Sequence, residues 1–151
     1  MANYLLTKGT HLYIVDSANA VHDISCSAIS GVGGSRNTNT IQTLQDEAAT
    51  IISGSMQPSS MSFTIYLHGS AEQKLIQDLY QTATVVDFAI GMSDGVDEPT
   101  YATALELPAT RSWISFRGFV TDFPLEFAVD SAVECTITVQ MEGAYTLAIK
   151  E

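Results

Sequence analysis

Basic residues are scarce. Six Lys and Arg stand against 17 Asp and Glu, a net charge of −11 over 151 residues. The six (Lys8, Arg36, Lys74, Arg111, Arg117 and Lys150) are scattered along the chain. A DNA-gripping surface needs clustered Lys and Arg to neutralise phosphates, so that class is excluded. An acidic wall can still serve nucleic acid by repelling it. Charge of either sign is sparse, at 15% of residues, against about 25% for an ordinary soluble domain. There are two cysteines, Cys26 and Cys135. That is too few for a disulfide framework, and both read as small buried hydrophobes of a reducing compartment. No charged segment followed by a long apolar core lies near Met1, so no signal peptide is expected. No apolar run reaches the length that spans a bilayer, so no membrane partner is expected.

Catalytic and metal-binding patterns are also missing. The histidines, His11, His22 and His68, have no metal-ligand spacing. Residues 94–98 (Asp-Gly-Val-Asp-Glu) lack the alternating ligands and distal Glu of a calcium loop and read as a solvated turn. Residues 31–35 (Gly-Val-Gly-Gly-Ser) lack the Gly-Lys-Ser/Thr ending of a phosphate loop. No Gly-x-Ser-x-Gly is present. The sequence reads as a non-enzyme without cofactor or metal.

What the chain has in quantity is small hydroxyls, 15 Ser and 16 Thr, and period-two patterning. In residues 131–142, Val133, Cys135, Ile137, Val139 and Met141 fall on one face. Glu134, Thr136, Thr138, Gln140 and Glu142 fall on the other. Strand side chains alternate faces, so this is a half-buried antiparallel strand whose wet face carries acids and hydroxyls and no base. Residues 61–68 alternate likewise, with Met61, Phe63, Ile65 and Leu67 inward and Ser62, Thr64, Tyr66 and His68 outward. Further strands are predicted at 10–16, 20–29, 86–92, 111–123 and 145–149. One helix is predicted from Ser70 to about Thr82. Ser70 and Gln73 form its capping box, and Leu75, Ile76, Leu79 and Tyr80 its apolar stripe. Residues 34–60 read as a long polar loop containing Asp46-Glu47 and a patch at Ile51-Ile52. Loops of that length are functional or disordered. Residues 93–110 read as turn and irregular chain. The sum is one domain over residues 1–151, mostly β, with two packed antiparallel sheets, sandwich- or barrel-like, and one flanking helix.

The segment Phe116-Arg-Gly-Phe-Val120, Phe123, Val129-Asp130, Val133, Thr136-Ile-Thr-Val-Gln140 and Gly143 resembles the final strand pair of the major tail (tail tube) proteins of long-tailed, lambda-like, non-contractile phages. The order of elements upstream is similar as well, from Lys8-Gly-Thr10 through the residue 62–66 strand, the residue 73–79 helix and the residue 86–90 strand. The resemblance implies a structural virion protein, made in the bacterial host cytoplasm and built into the tail. It implies homo-hexameric rings stacked into a tube that DNA traverses. Tape-measure protein occupies the lumen beforehand, and terminator and initiator proteins meet the tube ends. Contractile tubes share the fold and stay open as an alternative. On this reading Glu134, Thr136, Thr138, Gln140 and Glu142, joined by Ser62, Thr64 and Tyr66, line an acidic lumen. The alternation alone leaves the outer wall equally open. The 34–60 loop, with Asp46, Glu47, Ile51 and Ile52, is expected to be mobile in the monomer and to order against a neighbouring subunit. The competing class is a monomeric β-sandwich binding module, for example a carbohydrate-binding one. It would need an aromatic platform, for which Tyr66, Trp113 and Phe119 are the outward-facing candidates.

Overall fold

A computed structural model of the chain describes residues 4–69 and 71–150. The strand with the strongest alternation organises it. Residues Glu134–Met141 form β12, with Cys135, Ile137, Val139 and Met141 buried in turn. One edge of β12 pairs along its length with β6 (Ser60–Tyr66). The other pairs with β10 (Trp113–Asp122) and then with the short β11 (Leu125–Glu126). β10 and β11 are one strand's path interrupted at Phe123-Pro124, where proline has no N–H to give a ladder.

The sheet continues from β10 through β7 (Val86–Gly91) and β1 (His11–Val15) to β2 (Val21–Ile24). From β6 it continues to β3 (Ala28–Ser30), and β13 (Thr146–Ala148) returns along β10. All of these pairings are antiparallel. The two halves of the expected sandwich are thus hydrogen-bonded into one nine-stranded sheet, which among the described residues does not close into a barrel. The sheet curls. Leu12, Ile14 and Ile24 from one end share a core with Met61, Phe63, Ile65, Cys135 and Ile137 from the other.

The helix α1 (Ala71–Thr82) closes this core with Ile76 and Leu79. Ser70, the expected cap, lies outside the described residues. Its expected partner Gln73 is buried, and its Oε1 accepts from the backbone N–H groups of His68 and Gly69, each at 3.0 Å. Those donors would otherwise be unpaired at a helix start.

Three expectations need correction. The predicted 20–29 strand is two strands, β2 and β3, broken at residues 25–27. The predicted loop at 34–60 is a long antiparallel hairpin, β4 (Gly34–Ile41) and β5 (Thr50–Pro58), with a bulge near Asn37. Nearly every residue of both strands is exposed. With no core on either side the strands have no reason to alternate, so their composition looked like loop. The irregular stretch after residue 99 holds a small hairpin of β8 (Thr100–Tyr101) and β9 (Leu105–Glu106).

Candidate functional site

The outer face of the curled sheet differs between its two halves. Around Tyr13 of β1, Ala89 of β7 and Trp113 at the start of β10 it is covered. Tyr13, Ala89 and Trp113 form a second buried cluster capped by Leu105 and Leu107 of the 100–110 segment. Trp113 is buried there, its Nε1 donating to the Pro108 carbonyl at 2.9 Å. It faces outward as expected but is roofed by chain, so it offers no aromatic platform.

Arg111 anchors the same roof. It is buried, and every acceptor around it is neutral. Nε donates to Met92 O at 2.7 Å, and Nη1 to Asp97 O at 3.0 Å and to the Tyr13 hydroxyl at 3.2 Å. Nη2 donates to Gly9 O at 3.1 Å and to Gly91 O at 3.0 Å. The guanidinium also stands over the Trp113 ring, 5.1 Å from its centroid. A buried cation survives only with such full satisfaction. The acids that looked like a calcium loop serve the roof too. Asp94 accepts from the Ser112 backbone N–H at 2.9 Å and from its hydroxyl, which hold its carboxyl below the usual range. Asp97 accepts from the Thr110 hydroxyl. Among the described residues no cluster of His, Cys, Asp and Glu could hold a metal ion.

On β3, β6 and β12 the outer face is bare. Register brings the expected side chains together: Glu134 opposite Tyr66, Thr136 opposite Thr64, and Thr138 opposite Ser62. Gln140 stands opposite Ser60 and, on the other edge, opposite Phe119. Hydroxyls bridge the strands, Thr64 Oγ1 to Thr136 Oγ1 at 3.3 Å and Ser30 Oγ to Ser62 Oγ at 2.9 Å. Tyr66, Thr136 and Glu142 are exposed, and Glu134, Ser62, Thr64, Thr138 and Gln140 half-buried. The period-two pattern could not reveal which strands adjoin, so Ser30 and Asp122, opposite Ser62 and Thr138, were missed. So was Arg117. Its backbone carbonyl accepts from the Glu142 N–H at 2.8 Å, and its side chain pairs with Asp87 at 3.2 Å. The face therefore carries one base, already paired, beside the carboxylates of Glu134, Glu142 and Asp122.

The hairpin projects Ile41, Leu44, Ile51, Ile52 and Met56 into solvent. Ile51 and Ile52 are not one patch. Adjacent strand residues point to opposite faces, so Ile52 shares its side with Ile41 across the pair, and Ile51 lies on the other. Asp46 builds the tip. Its Oδ2 accepts from Thr43 N at 2.9 Å, and bonds from the Thr43 backbone and then its side chain lower its pKa. Glu47 and Leu44 stay exposed.

The cysteines are free thiols. Burial raises both, Cys135 to about 11. Among the described residues no helix is long and apolar enough to cross a membrane.

Residues 3–151 match the protein family described as phage tail tube, TTP, lambda-like. Structural protein 3 of Pseudomonas phage PAJU2 is 27% identical over 150 residues, covering 93% of this chain and 92% of its own. Two solved structures share the fold. A chain of the extended sheath–tube complex of the PVC extracellular contractile injection system superposes with a TM-score of 0.70 at 14% identity, covering 95% of this chain and 90% of that one. The SPP1 tail tube superposes with a TM-score of 0.66 at 15% identity, over 96% and 79% of the two chains.

Proposed function

This chain belongs to the lambda-like phage tail tube family, and from that premise we propose that its copies form hexameric rings that stack into the tail tube, with the bare polar face of β3, β6 and β12 turned to the lumen. The family consists of structural tube proteins of the phage virion, and this chain is a tube component rather than an enzyme.

The single observation carrying the lumen assignment is the asymmetry of the sheet. One half is roofed by residues 105–108 and Arg111, while the other presents an uncovered ladder of Ser, Thr and carboxylates with one paired base. Such a wall suits passage of double-stranded DNA. Interactions are screened beyond roughly 10 Å at ordinary salt, so only lumen-facing acids act on the phosphates. Short hydroxyls offer no deep binding well. Repeating the same face around a ring and along a tube gives a smooth repulsive surface. Open edges at β2 and β3, an aggregation hazard in a lone subunit, become neighbours' pairing sites in a ring. The exposed hairpin supplies contact between subunits, because a large unpartnered apolar surface rimmed by polar residues marks an interface. Tape-measure protein fills the lumen before DNA does. Terminator and initiator proteins close the ends, and assembly takes place in the bacterial cytoplasm.

Electron microscopy of concentrated pure protein tests the assembly. Six-fold rings or tubes are expected. Monomers alone at every salt concentration, with tail initiator added, would overturn it. The monomeric binding module loses Trp113 from its aromatic platform, because that ring is buried beneath Leu105 and Leu107.

A further inference from the structure

A mostly apolar concavity opens where the core meets the N-terminal segment. It is a cleft of about 330 Å³ where the N-terminal segment, β3 and the ends of β7 and β10 meet, lined by Leu5, Leu6, Cys26, Ile29, Met92 and Ile114 among others. Leu6 remains 70% exposed beside it. The segment forming one wall also carries Lys8, between the lining residues Thr7 and Thr10. Lys8 is exposed and is the one cation with no partner among the described residues. Arg36 is held by Gly54 O, Lys74 by Asp78, Arg111 by its carbonyl cage, Arg117 by Asp87 and Lys150 by Asp94 O.

The hairpin tip has the complementary character. Leu44 is fully exposed, and the acids Asp46 and Glu47 follow it. Asp46 is engaged in the turn, which leaves Glu47 available. The tip cannot reach its own cleft. The hairpin roots at Gly34, two residues past the cleft residue Val32, and the eight residues of β4 carry the tip roughly 25 Å away.

We propose that Leu44 of one copy seats in the N-terminal cleft of the next copy, with Glu47 paired to that copy's Lys8. The inference rests on the tube reading above and names the acceptor its hairpin needs. Copies with a net charge of −11 repel each other. Lys8 offers an acidic tip a cation that no other group among the described residues engages. Donor and acceptor are different patches of one chain, so the contact is heterologous: each copy offers one tip and one cleft, and the contact extends from copy to copy, as stacking demands.

The cleft's own Cys26 provides the test. Leu44→Cys protein, assembled and then mildly oxidised, should give a disulfide ladder extending past the dimer, because each copy brings one thiol at the tip and one in the cleft. Cys135, buried with its pKa pushed to about 11, stays out of the reaction. Leu44→Cys with Cys26→Ser should give nothing beyond dimers. Tubes without a ladder overturn the cleft as acceptor and leave the tube reading standing. Wild-type protein that never forms rings or tubes overturns both. Should Leu44→Cys fail to assemble, a charge swap decides. Lys8→Glu and Glu47→Lys should each raise the concentration needed for assembly about fivefold, and together restore it. Failure of the pair to restore assembly overturns the proposal.

Discussion

Gly91 is glycine because of Arg111. A Cβ on Gly91 would stand 2.6 Å from the Arg111 guanidinium carbon and 2.8 Å from the Trp113 ring. Both neighbours are buried, so neither can swing aside. Gly91→Ala should therefore destabilise the chain by about 3 kcal/mol, combining overpacking with displacement of a satisfied buried cation. Urea unfolding checks it. Arg111→Lys should cost a similar amount, since an ammonium cannot reach the carbonyls of Gly9, Gly91, Met92 and Asp97 together.

Acid should loosen the fold through particular aspartates. Burial raises the Asp16 pKa, but bonds from His22 and from the backbone N–H groups of Ala20 and Ala18 outweigh it and leave the group below its ordinary 3.8. A depressed carboxyl contributes stability that is complete above that ordinary value and lost as pH falls through the lowered one. Thermal melts should show wild type more stable than Asp16→Asn at pH 7, with the gap closing below about pH 4. An unchanged gap at pH 3 would contradict the assignment.

Much of the fold was legible because a core imposes period. β6 and β7 were read to within two residues and β12 to within three; β6 and β12 bury every second side chain, and β7 keeps Val86, Phe88 and Ile90 in the core. The hairpin was not, because its strands have no packed face, and polarity alone cannot distinguish a solvated strand from a loop. Trp113 pointed outward as its position implied, yet its burial depends on Leu105 and Pro108, whose fold-back no local pattern announces. The polar face was legible strand by strand. Its neighbours Ser30, Asp122 and Arg117 needed the strand order, which pairs residues far apart in sequence. Arg111 was one of six scattered bases, and nothing nearby in the sequence marks it as buried.

The hairpin should matter for assembly and little for folding. Ile41 and Ile52 share one exposed face of it. Ile41→Asp with Ile52→Asp should leave monomer stability within about 0.5 kcal/mol, as befits surface changes. It should abolish sedimenting tubes. Normal tubes from the double variant would remove this face from the interface.

The carboxylates of the bare face should govern DNA passage. Glu134→Lys with Glu142→Lys should fold normally, because neither side chain is buried. In phage carrying both changes, DNA ejection should slow at low salt as lysines grip phosphates, and recover at high salt as the contacts are screened. Ejection at the normal rate in low salt would place this face away from the lumen.

The most direct test is a cryo-electron microscopy reconstruction of assembled tubes. The account predicts six copies per ring, with Glu134, Thr136, Thr138, Gln140 and Glu142 on the inner wall beside Ser62, Thr64 and Tyr66 of β6. A tube with this face on its outer surface, or a ring of any other order, would contradict it.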